Sequence, residues 1–156
     1  MIHVFVLPHN QEPMLQFNTD GNLPPGIHVL TLAETTTLLV FNERRADLFN
    51  GFKRAWSSLQ QAGCHAIYIG GSFATNKEFP GDFDACWDTT KVDFRVLKDI
   101  EPVLLDMSNQ CAAQKAKFGG ELFPADLITA VSGDTHLDFF QKDRNGDPKG
   151  IICIHP

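Results

Sequence analysis

The stretch from His65 to Trp87 constrains the fold more than any other part of the chain. His65 to Ile69 (HAIYI) is a short apolar run of strand type, and it leads straight into Gly70-Gly71-Ser72. After a loop carrying Pro80-Gly81, Phe83 to Trp87 (FDACW) reads as a second strand. Two short strands joined through glycine-rich turns are not stable alone; they need further strands or a covering helix. The rest of the sequence offers both. Leu48, Phe52, Trp56 and Leu59 recur at intervals of four and three, which predicts a helix over Glu43–Ala62 stopped by Gly63. Thr31 and Glu34 have the spacing of a capping box, which predicts a helix from about Leu32.

Further elements follow the same logic. Pro102 opens a predicted helix through about Lys115, and Lys117 to Phe123 reads as a strand interrupted by Gly119-Gly120. Asp134 or Thr135 caps a short helix through Gln141, and Asn145-Gly146 with Pro148 turns the chain into a closing strand, Ile151 to Ile154. At the other end Ile2 to Leu7 is strand-like and stopped by Pro8, after which Pro13, Asp20-Gly21 and Pro24-Pro25-Gly26 give turn chemistry. Strands interleave with helices, so the expected class is α/β or α+β. The expectation is a single domain over residues 1–156, with 1–30 as an N-terminal strand and a Pro/Gly-rich lead-in.

Composition excludes several functions. With 43% hydrophobic and 21% charged residues the chain is neither disordered nor a coiled coil, and 13 Phe can fill an aromatic core. The formal net charge of −6 argues against non-specific nucleic-acid binding, and an acidic protein that handles phosphates needs metal ions. Cys64, Cys86, Cys111 and Cys153 are too far apart for a Cys-x-x-Cys pair, and the six histidines show no zinc spacing. Met1 to Leu7 is too short for a signal segment and no apolar run reaches membrane-spanning length, so the expected location is cytoplasmic, with reduced cysteines.

The chemistry concentrates between residues 70 and 84. Gly70 and Gly71 let the backbone approach a ligand closely, and Ser72 adds a hydroxyl; with a helix or tight turn after them they make a phosphate seat. Ten positions beyond Ser72 stand Asp82 and Asp84, which share one side of a strand while Phe83 faces the core. Two carboxylates that close repel unless a cation lies between them, and Mg²⁺ favours carboxylate oxygens together with substrate phosphate oxygens. The pair therefore points to a Mg²⁺ (or Mn²⁺) and nucleoside triphosphate site, with ATP the first candidate and Lys77 a possible phosphate contact.

Gly71-Ser72, a gap of about ten residues, and Asp82-x-Asp84 resemble the nucleotidyltransferase fold of the DNA polymerase beta superfamily. Three longer phrases resemble small bacterial and phage nucleotidyltransferase-like proteins: Leu23 to His28, Gly71 to Lys77 with Pro80 to Asp84, and Phe139 to Ile151. The resemblance implies a mixed sheet flanked by helices, Ser72 at the triphosphate, and Asp82 and Asp84 on the metals. It implies transfer of a nucleoside monophosphate to a hydroxyl, with a third carboxylate on a neighbouring strand. Glu121 ranks first for that role and Asp126 second, ahead of Asp93 and Asp106. A chain this short has little room beyond a catalytic core, so a partner protein or another copy is expected to hold the acceptor. By fold-level analogy the setting is a toxin–antitoxin or other defence module. Two alternatives stay open: a catalytically weak module of the same fold that covers a partner, and a small-molecule antibiotic nucleotidyltransferase.

Several other features read as structural. Arg44-Arg45 opens the long helix and reads as a solvated face, one of the two being a candidate phosphate contact if the helix packs beside the site. Asp143 to Asp147 imitates a calcium loop but has Pro148 where the glycine belongs, so it reads as a hairpin turn. His28 reads as holding the Pro24-Pro25-Gly26 turn, while Cys86 and the Phe139-Phe140 pair read as core.

Overall fold

The computed structural model describes residues 14–156. The strand predicted over Ile2–Leu7 lies outside them. Ten elements follow in the order β1 (Ile27–Leu30), α1 (Leu32–Leu39), α2 (Glu43–Gln61), β2 (Ile67–Gly70), β3 (Phe83–Trp87), α3 (Phe94–Ile100), α4 (Ser108–Phe118), β4 (Gly120–Pro124), α5 (His136–Phe139) and β5 (Ile151–Ile154). The strands form one mixed sheet in the order β1-β5-β2-β3-β4. β1 runs parallel to β5 and β3 parallel to β4, while β2 is antiparallel to both its neighbours. The class is mixed α+β, a five-stranded sheet flanked by helices.

Alternation along the strands divides the sheet into two faces. Ile67, Ile69, Phe83, Ala85, Trp87, Leu122, Ile152 and Ile154 are fully buried together with Phe49, Phe52, Trp56 and Leu59 of α2. The periodicity of α2 thus covers one whole face of the sheet. A smaller cluster of Cys86, Ala125, Phe140 and Ile151, with Tyr68 and Phe123 packed against it, lies with α5. On that second face Asp84 and Glu121 stand where β3 and β4 leave the cover of α5.

Local chemistry accounts for the element ends. Thr31 accepts from the Glu34 amide at 3.0 Å and Glu34 returns a bond to the Thr31 amide at 3.1 Å, the predicted capping box. Asn42 caps α2, and Thr135 caps α5 by accepting from the Asp138 amide. α2 and α4 cross at Gly51, where an added Cβ would lie 1.7 Å from the Phe118 carbonyl oxygen. Gln114, fully buried on α4, accepts from the Leu122 amide at 2.7 Å and donates to the Val103 carbonyl at 3.2 Å. That side chain serves the outer edge of β4 as a substitute strand.

One expected helix needs correction, and two elements of the fold were not expected. The helix predicted from Pro102 to Lys115 is not continuous: Pro102–Leu105 is a 3-10 turn and α4 begins at Ser108. Asp106 accepts from both the amide and the hydroxyl of Ser108, offering the backbone a turn in place of a helix. Asn109, Gln110 and Cys111 then adopt left-handed dihedrals, with φ of 50°, 54° and 58°, before the right-handed helix resumes. α3 escaped the sequence reading, although Asp93 caps it by accepting from the Arg95 and Val96 amides. β1 also escaped, because its pairing with β5 joins residues more than a hundred positions apart.

Candidate functional site

Strand register assembles the centre of the site. Gly70 pairs with Asp84 across β2 and β3, and Asp84 pairs with Glu121 across β3 and β4. Residues directly opposite each other in a ladder hold their side chains on the same face about 5 Å apart. Asp82 stands just before β3 and shares that side of the strand. One carboxylate oxygen from each of Asp82, Asp84 and Glu121 lies within 4.8 Å of the others. No other group of three potential ligands comes this close among the described residues.

Three acids this close perturb one another. Burial pushes the Asp84 carboxyl up to about 7, and the charges of Asp82 and Glu121 add to the effect. Asp82 is also raised, by burial first and by Glu121 second, with Lys115, Lys77 and Arg44 acting against it. Glu121 forms a 2.8 Å ion pair with Lys115 of α4, whose ammonium is raised above its usual value by that hydrogen bond. Three carboxylate oxygens converging without a histidine or cysteine suit a hard divalent cation better than zinc.

Gly71 supplies the close approach. Its φ is +61°, and an added Cβ would sit 2.2 Å from Asp84 Oδ2. No other residue fits this position. The next three residues, Ser72–Ala74, make a single 3-10 turn with Phe73 buried and stacked on Phe49.

What holds this loop is Arg45, and here the expected solvated face is wrong. Arg45 is fully buried. Its guanidinium donates to the carbonyls of Leu39 (2.9 Å), Phe73 (2.8 Å), Thr75 (2.6 Å) and Lys77 (3.0 and 2.7 Å). It also lies 4.3 Å from the Phe41 ring and 4.9 Å from the Phe73 ring. Among the described residues no carboxylate pairs with it, and burial lowers its pKa to about 10. Arg44, which remains exposed, donates to the carbonyls of Pro80 (3.2 Å) and Gly81 (2.6 Å), and Asn42 Nδ2 donates to the Glu78 carbonyl at 2.6 Å. The first turn of α2 therefore ties down the segment between Ser72 and Asp82 by its main chain. An Arg-Arg pair after a helix cap was the only sequence signal, and it does not separate a carbonyl clamp from a surface charge.

The cleft around the acids has two lobes that meet at Gly71 and Asp84. One, of about 790 Å³, is the more cationic: Lys77, Lys142, Arg144 and Lys149 line it with Ser72 and Thr75, against Asp84, Asp134 and Asp143, and Lys142 pairs with Asp134. The other, of about 660 Å³, is largely apolar, with Met107, Phe123, Leu127, Val131, Phe139 and Phe140 in its walls. Glu121, Lys115 and His136 belong to this second lobe. Lys149 reaches both and donates to the Gly71 carbonyl at 3.2 Å; burial lowers its pKa while Asp84 opposes the shift.

Of the residues expected from sequence, Gly71, Ser72, Lys77, Asp82, Asp84 and Glu121 come together at this cleft. Gly70 stands one step behind, where an added Cβ would meet Phe140 at 2.9 Å. Asp126 is exposed and accepts from Thr89 Oγ1 at 3.2 Å; Asp93 caps α3, and Asp106 makes a local turn with Ser108. Phe139 is a half-exposed wall of the cleft, and Phe140, core as expected, lines the same lobe. Asp143 accepts from the amides of Asn145 and Asp147, which is the expected turn, and His28 bonds the Pro24 carbonyl. Lys149, Lys142, Lys115, Arg144 and His136 were not singled out, because isolated cations and a lone histidine carry no spacing signal.

A family model described as "Family of unknown function (DUF6932)" matches residues 15–155. No curated protein and no solved structure matches the chain. No helix among the described residues is long and apolar enough to cross a membrane.

Proposed function

The chain belongs to that family of unknown function, and we propose from its own residues that it transfers a nucleoside monophosphate from a nucleoside triphosphate to a hydroxyl. The observation that carries this reading is the contact between an all-carboxylate cluster and a basic lobe across a glycine that only glycine can fill. Asp82 and Asp84 would hold Mg²⁺ or Mn²⁺, with Glu121 completing the acidic set; burial first and neighbouring charge second raise both aspartates, and a bound cation offsets that cost. When bound, the ion supplies charge neutralisation of the triphosphate and of the departing pyrophosphate.

Ser72, Lys77, Lys142, Arg144 and Lys149 would hold the triphosphate, ATP being the first candidate. The acceptor oxygen forms a bond to the α-phosphorus while the bond from that phosphorus to the β-bridging oxygen breaks. Pyrophosphate leaves through the basic lobe. Glu121, held at Oε1 by Lys115, takes the acceptor proton at its other oxygen. The expectation that a partner protein or a second copy presents the hydroxyl belongs to this proposal.

The test is incubation with each α-labelled triphosphate, Mg²⁺ and a lysate as acceptor source, comparing wild type with Asp82→Asn and Asp84→Asn. Label transfer by wild type and its loss by at least a hundredfold in both variants supports the reading; equal absence of transfer overturns it. A second reading, a binding module that covers a partner without turnover, draws on the exposed apolar residues Leu127, Ile128 and Val131 beside the cleft. A stable complex recovered equally by wild type and variants, without label, would favour that module.

A further inference from the structure

The two lobes differ in chemistry, and the difference bears on the acceptor; this step rests on the transfer reading above. In-line displacement at phosphorus places the attacking and leaving oxygens on opposite sides. Ser72, Lys77 and Arg144 line only the basic lobe, and Glu121 lines only the apolar one. With the leaving pyrophosphate on the basic side, the attacking hydroxyl arrives from the apolar side, where Glu121 stands. We propose that the apolar lobe is the acceptor site and that it takes a hydroxyl borne on an uncharged aromatic ring.

The walls select for such a ring. Phe123, Phe139 and Phe140 offer aromatic surface, and Phe123 is itself braced by His136, stacked at 4.1 Å between centroids. His136 is fixed in turn through Nδ1, 2.7 Å from the Leu127 carbonyl. A volume of about 660 Å³ accommodates a substituted ring with room for its attachment. The same walls disfavour a polycationic sugar: Lys115, Lys142 and Lys149 line the lobe against two acids, Asp84 and Glu121, and Glu121 is already paired with Lys115. Ammonium groups entering here would meet like charge and apolar surface. Beyond Asp84 and Glu121, which belong to the acidic cluster itself, no carboxylate lines this lobe to receive further ammonium groups.

Ligand-observed saturation-transfer NMR on the metal-free protein tests the ring site directly, with 4-ethylphenol and 2-deoxystreptamine as probes. 4-Ethylphenol should bind wild type at millimolar concentration or below. Its affinity should fall at least fivefold in Phe139→Asp and in Val131→Asp, a residue that is 85% exposed and so safe for folding. 2-Deoxystreptamine should not compete. Absence of 4-ethylphenol binding to wild type, equal binding by the folded variants, or preference for 2-deoxystreptamine overturns the proposal. A second arm adds Mg²⁺ and α-labelled ATP. Label on 4-ethylphenol or on an aromatic hydroxyl of a protein band supports the proposal and tells a free acceptor from a protein-borne one. Label on 2-deoxystreptamine or on an aliphatic hydroxyl overturns the acceptor class but leaves the transfer reading standing. A bound ring with no transfer to any acceptor and no binding of Mg²⁺·ATP overturns the transfer reading, and the acceptor assignment with it.

Discussion

At the scale of single residues, Asp84 is a carboxyl group that burial pushes far from its ordinary range. Its folded pKa of about 7 lies above the ordinary carboxylate value, so the protonated form is favoured by the fold. Such a group contributes stability that is full below the unfolded pKa and is lost as pH rises through about 7. In metal-free protein at pH 8 this costs up to about 4 kcal/mol, taking three pKa units at 1.36 kcal/mol each. Asp84→Asn should therefore raise the stability of the metal-free protein at pH 8 and change it little at pH 4, as read by urea unfolding in the presence of EDTA. Wild type should gain stability from Mg²⁺ at pH 8 while the variant does not. A variant less stable than wild type at pH 8 would show that Asp84 is a structural hydrogen-bonding group instead.

At the scale of elements, the first turn of α2 and the loop after β2 form one unit. Arg45→Ala would orphan several main-chain carbonyls at once, each costing about 1–3 kcal/mol when buried without a donor. The variant should lose at least about 3 kcal/mol in urea unfolding. Arg45→Lys should recover less than half of it, since one ammonium cannot reach the five donor positions of a guanidinium. Full rescue by lysine would show that charge alone matters there.

The unit also shows what the sequence could and could not convey. Gly71, Ser72, Asp82 and Asp84 were legible because they lie close together in one phrase, where spacing alone fixes which side of a strand each residue takes. Glu121 could be ranked only as one of several acids, since its place depends on the parallel pairing of β4 with β3. Lys149 and His136 depend on tertiary contacts from distant loops, which leave no local period. The same division holds for the fold. α2 was legible from its apolar stripe, whereas β1, with half-exposed residues and a partner at the far end of the chain, was not.

At the scale of the whole molecule, ligand binding and folding are linked. If Mg²⁺·ATP occupies the cleft, a concentration a hundredfold above Kd adds about 2.7 kcal/mol of stability. For a chain of this size that corresponds to a rise in Tm of roughly 5–10 °C. Thermal unfolding monitored by circular dichroism should show that rise for wild type and lose it in Asp82→Asn. No rise at millimolar Mg²⁺·ATP would argue against nucleotide in the basic lobe.

Asp84 meets Gly70 and Glu121 at ladder positions, so the placing of two of the three acids is inherited from strand alignment, with Asp82 just ahead of the same strand. A slip of β3 by one position would turn Phe83 to the open face and drive the Asp84 carboxylate into the hydrocarbon interior. Misaligned conformers are thus penalised twice, by an exposed ring and by a buried charge. The acids that equip the cleft also act as a proofreading device for the assembly of the sheet that presents them.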